Sequence, residues 1–146
     1  MAQIELLHEY LQDAILKLQT LIHYTNEDIE DIKLAKHEKI FDRGNLKVST
    51  IKEFEIAKNM IDKEMVNLTQ KSPHLKLTQI LDERANELLS DMRKSLEYLK
   101  SINTHYARMA FAVSEFYTSL TDRLIPREKA DYKSRVEQSQ LLKIQA

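Results

Sequence analysis

Apolar side chains recur along the first part of the chain at a helical spacing. Ile4, Leu7, Leu11, Ala14, Leu18 and Leu21 are separated by alternating steps of three and four residues, the heptad pattern that lays one apolar stripe along a helix. Ile15 and Ile22 widen that stripe, as expected where a helix packs in a bundle rather than in a two-stranded coil. Ile29 and Ile32 prolong it. Thr25 and Asp28 have the spacing of a capping box that would end the helix early, but the continuing stripe favours one helix over 3–35. The next apolar set, Ile40, Ile51, Phe54, Ile61, Met65 and Leu68, is again helical in spacing. Gly44-Asn45 lies in the polar stretch between Ile40 and Ile51 and admits two readings. Either Gly44 closes one helix and Thr50 with Glu53 opens another, or a single weakened helix runs over 37–70. A glycine inside a helix costs only about 1 kcal/mol, so the continuous helix is preferred.

Ser72-Pro73 is the clearest punctuation, because Ser is favoured at a helix N-cap and Pro at the first helical position. Apolar positions then recur from Leu77 through Leu88, Leu99, Tyr106 and Val113 to Leu124, with no breaker before Pro126. The pattern predicts a third helix over 73–125, roughly 50 residues and about 75 Å long. The expected fold is all-α: a long antiparallel helical hairpin plus a longer third helix, a three-helix coiled-coil-like bundle. One helical domain over 1–125 is followed by a polar C-terminal tail, 126–146.

The expected lengths do not match. Two helices of roughly 33 residues, about 50 Å each, would turn near Lys36. A third helix starting at Pro73 would draw level with that turn at about residue 108, so that Met109 to Leu124 would project beyond it. That stretch holds Met109, Phe111, Val113, Phe116, Tyr117, Leu120 and Leu124, and a helix apolar on more than one side is normally covered. Three explanations are open: the helix bounds differ or the first helix folds over this stretch, a second copy covers it as in a homodimer, or a different protein adds helices to the bundle. Half of the aromatic residues, 6 Tyr and 4 Phe with no Trp, fall between Tyr98 and Tyr117.

Composition agrees with helices and removes other classes. The 146 residues contain one Gly, two Pro and no Cys, too few turn formers for a β protein of this size. The net charge of −1 gives no nucleic-acid footprint. Charge is uneven, with seven acids against Lys17 and Lys33 over residues 2–35, and five bases against three acids over 127–146. Faces of opposite sign favour an antiparallel arrangement. No stretch approaches the ~20 apolar residues that span a bilayer, and the Met-Ala-Gln-Ile-Glu start lacks the pattern of a secretory leader. The expectation is a soluble, cytoplasmic protein without membrane insertion.

Candidate chemistry is sparse. The five His residues (His8, His23, His37, His74, His105) are scattered. Glu5-Leu6-Leu7-His8 matches one Glu-x-x-His of a di-iron bundle, yet such sites need a second copy and further inward Glu residues. His37-Glu38 lacks the second His of a zincin motif. One Gly cannot build a phosphate loop, there is no thiol nucleophile, and Asp82-Glu83 reads as solvent-facing helix surface. Neither metal, cofactor nor enzymatic activity is expected.

At the hairpin the sequence resembles the FlgN family of flagellar type III export chaperones. The residues that carry the resemblance are Leu18-Leu21-Ile22, the acidic run Glu27 to Asp31, a break near Lys36-His37, Ile40, and Lys47 leading into Ile51 and Phe54. Asn103 within Leu99-Lys100-Ser101-Ile102-Asn103 and a polar tail containing Tyr132 also fit. The chain departs from the family pattern at Lys36, where an acidic residue is usual, and in a tail without glycines. The resemblance implies a cytoplasmic chaperone that consumes no ATP and binds the C-terminal helical region of hook–filament junction proteins. It also implies that the surface Met109, Phe111, Val113, Phe116, Tyr117, Leu120 and Leu124 holds the export substrate, and that Tyr132 contacts export-gate components. The alternative reading is a coiled-coil homo-oligomeric scaffold or adaptor.

Overall fold

In the computed structural model, which describes residues 2–124, the chain folds into α1 (Ala2–Lys33), α2 (His37–Lys71), a short α3 (Leu77–Ile80) and α4 (Glu83–Leu124). The fold is all-α, with no strand among the described residues. No helix among them is long and apolar enough to cross a membrane. The tail 126–146, with Tyr132, lies outside the described residues.

α1 ends as the sequence pattern indicates, beyond Thr25 and Asp28. Its terminus closes through paired backbone bonds: the N–H of Lys36 donates to the Asp31 carbonyl at 2.8 Å and that of Ala35 to the Ile32 carbonyl at 3.2 Å. This Schellman pairing needs a left-handed residue at its centre. Ala35, at φ 57°, takes that position, normally a glycine's. α2 runs unbroken through Gly44.

The third long helix begins at Glu83, about ten residues later than Pro73. Residues 72–82 instead hold a turn and the single helical turn of α3. Leu81 is extended, at φ −78° and ψ 139°, which lets its side chain enter the core. Asp82 then caps α4, its Oδ1 accepting the Ala85 N–H at 2.8 Å. Asp82 is thus an N-cap rather than idle helix surface, and it displaces Ser72-Pro73 as the start signal.

The described chain forms two compact units. In the first, residues up to His23 pack with Val48–Leu99 around Leu7, Leu11, Ala14, Ala57, Ile61, Leu81, Ala85 and Leu88. The predicted α1 seam is therefore the core side of α1. Lys17 reaches Glu53 at 3.0 Å across α1 and α2, and His8 Nε2 meets Asp82 Oδ1 at 2.8 Å. In the second unit, Tyr24–Lys47 packs with the part of α4 that begins at Lys100, and Ile29, Ile32, Ile40, Ile102, Tyr106 and Ala110 are buried.

Candidate functional site

The functional candidates all belong to the second unit, where the seam of α1 turns polar. Steps of four and three from Leu21 reach Thr25 and Asp28, both buried, the latter only 2% exposed. A carboxylate in such a place must be paired. Arg43 and Lys47, one turn apart on α2, supply the partners. Arg43 Nη1 bonds Asp28 Oδ1, its Nη2 meets Asp31 at 2.6 Å and its Nε meets Glu27 at 3.0 Å. Lys47 Nζ donates to Asp28 Oδ2 at 2.9 Å and also sits 5.5 Å from the centre of the Tyr106 ring on α4. Thr25 Oγ1 donates to Asn103 Oδ1 at 3.3 Å, joining α1 to α4 beside the cluster.

This electrostatic environment moves the titrating groups. Hydrogen bonding to Arg43 holds the Asp31 carboxyl below its ordinary value. Burial first, and the Asp28 charge second, push the Tyr106 phenol up to about 12. The arrangement fixes how the three helices meet. Among the described residues no group of three or more His, Asp or Glu side chains could hold a metal ion. His8, the residue of the lone Glu-x-x-His, is engaged with Asp82 instead.

Glu27 to Asp31, Lys47 and Asn103 stand out in the sequence, whereas Arg43 does not. A signal was present. Reflecting the hairpin about its turn near Lys36 sets Asp28 opposite Arg43, so an acidic run on α1 meets basic residues one turn apart on α2.

Two contacts give the level of α4 against α2. Lys47 lies over Tyr106, and the His37 and Tyr117 rings meet edge to face at 5.9 Å. The first residue of α2 is therefore level with Tyr117. The turn falls about ten residues further along α4 than residue 108, a shift that follows from the later start of α4 at Glu83. Met109, Phe111, Val113 and Phe116 consequently lie alongside the hairpin, and only the last turns of α4 extend past it.

Burial on this half of α4 does not follow the heptad. Ile102 and Tyr106 are buried, as are Ala110, Ser114 and Thr118, so the buried line advances in steps of four. A line of period four leaves a heptad line progressively. At 3.6 residues per turn, Phe116 and Thr118 face nearly opposite ways. The large heptad side chains are thereby left out: Met109 and Val113 are half-buried, whereas Phe116 is 61% and Leu120 39% exposed. Tyr117 is exposed and meets the Phe116 ring edge to face at 6.0 Å. Phe111 is exposed too, on a different side of the helix. Small residues thus fill the contact with the hairpin, and Ser114, 5% exposed, has an Oγ with no hydrogen-bond partner among the described residues.

Met109, Val113, Phe116 and Leu120 with Tyr117 therefore form one ridge of large apolar groups. The side chain of Leu124 and all of Tyr132 lie outside what is described. No family model matches the chain, and no curated protein and no solved structure matches it.

Proposed function

We propose that this chain is a cytoplasmic, non-enzymatic export chaperone of the flagellar type III system, which binds the C-terminal helical region of hook–filament junction proteins and delivers them to the export apparatus. The observation that carries the reading is the apolar ridge of α4, half-buried at Met109 and Val113 and exposed at Phe116, Tyr117 and Leu120. Large apolar groups at heptad spacing are what an added amphipathic helix packs against. A second observation supports it: Asp28, Asp31, Lys47 and Asn103, which carry the resemblance, belong to one polar cluster that joins all three long helices. The ridge needs no cofactor to bind a helix. In this reading Tyr132 and the tail contact the export gate.

Sedimentation of the chain alone and with the C-terminal helical region of a junction protein tests the proposal. A monomer that takes up one equivalent of that region is expected. A tight symmetric dimer that buries Phe116 and takes up none would support the homo-oligomeric scaffold instead.

A further inference from the structure

We infer that the second half of α4 has two alternative seams for the same hairpin, so that the chain itself competes for the apolar ridge. Both seams share Ile102 and Tyr106 and diverge beyond them. One is the four-step line Ala110, Ser114, Thr118, buried in this structure. The other is the heptad line Met109, Val113, Phe116, Leu120, which continues the three-and-four spacing that α1 uses for its own core.

Each arrangement leaves something unsatisfied. The occupied seam buries the Ser114 hydroxyl without a partner among the described residues and leaves Phe116 and Leu120 in water. An unpaired buried hydroxyl and exposed aromatic area both disfavour it. The heptad seam would bury the large side chains and return Ser114 and Thr118 to water, but it requires α4 beyond Tyr106 to coil about the hairpin in the opposite sense. Tyr106 is a natural pivot, because Lys47 lies over its ring and its burial is common to both. Two packings with compensating defects make a bistable element of the kind a ligand can bias.

The consequence for function rests on the ridge being the docking face: a helix that binds the ridge would hold α4 on its small-residue seam. The two seams themselves need no partner to be tested. The chain has no Trp, so Phe116→Trp is a clean reporter. In that single variant the indole is expected to be accessible to acrylamide. Adding Ser114→Leu removes the space that the small seam requires, and α4 should move to the heptad seam. The indole should then shift to the blue and lose most of its quenching, with far-UV helicity unchanged. A helical Ser114→Leu protein whose indole stays quenched as before overturns the inference. So does loss of helicity, because a chain with a second seam would repack onto it. An independent measurement uses fluorine-labelled phenylalanine without any packing change. The Phe116 resonance should show microsecond-to-millisecond exchange that Phe54 of the first unit lacks, and a Phe116 resonance free of exchange contradicts it.

Discussion

Asp28→Ala removes the central anion of the polar cluster, and the cost can be worked from the contacts. The carboxylate is held by Arg43 through one oxygen and by Lys47, at 2.9 Å, through the other. Breaking a buried ion pair from one side typically costs 3–5 kcal/mol, on the order of the penalty for a charge left buried and alone. The two cations are not equally stranded. Arg43 keeps Asp31 at 2.6 Å and Glu27 at 3.0 Å. Among the described residues Lys47 keeps the face of Tyr106, and its side chain is 20% exposed and can extend toward water. The loss should therefore lie near 2–3 kcal/mol, roughly a fifth to a half of the stability of an ordinary domain. Urea denaturation at neutral pH, followed by far-UV circular dichroism, reads it as a lowered midpoint with an unchanged slope. The double variant Asp28→Leu, Lys47→Met should recover most of the loss, since an apolar pair can replace a buried ionic one. A loss below about 0.5 kcal/mol for Asp28→Ala, the usual size of surface effects, would mean that the cluster is in contact with water and that Asp28 is not a buried anion.

Three further outcomes follow from local geometry. Gly44→Ala should stabilise by about 0.5–1 kcal/mol, because Gly44 is helical and a Cβ there meets nothing within 4 Å; thermal melting measures it. Asp82→Ala, which removes the α4 cap, should cost about 1 kcal/mol. Its carboxyl is held below 3.8, chiefly by the hydrogen bond from His8, so that stabilisation is complete above 3.8 and is lost as pH falls through the lower native value. The gap between wild type and Asp82→Asn should close over that acid range. Tyr106 should be a late phenol in an ultraviolet titration, near 12, and Tyr106→Phe should remove that step. Because the native value is raised, its contribution to stability is complete below 10 and is lost as pH climbs toward 12.

How far the sequence revealed this molecule depended on what filled each seam. Leu7, Leu11, Ala14 and Leu18 are apolar at heptad positions, and they are buried as that pattern requires. Where the same seam carries Thr25 and Asp28, apolar periodicity falls silent. The cluster with Arg43 becomes legible only when charges are paired across the turn. On α4 the heptad misled in a different way. It picked out Met109, Val113, Phe116 and Leu120, whereas the hairpin rests on Ala110, Ser114 and Thr118, small residues that no hydrophobic pattern singles out. The start of α4 was misplaced because Ser72-Pro73 is a strong local signal. Asp82 overrides it through contacts distant in sequence: the ring of His8 and the burial of Leu81 among α1, α2 and α4 residues.

The claim that the apolar ridge of α4 serves a partner rather than the fold is tested most directly by Phe116→Ala combined with Leu120→Ala. The wild-type chain and the variant would be titrated calorimetrically with the C-terminal helical region of a hook–filament junction protein and melted in parallel. Removing a central aromatic anchor from an interface typically costs 2 kcal/mol or more, about 30-fold in affinity. One-to-one binding by the wild type is expected, with a loss of that size or greater in the variant and melting curves that coincide. A variant that melts as a core substitution does, with roughly 2–5 kcal/mol lost, or a wild-type chain that binds no such region, would contradict it.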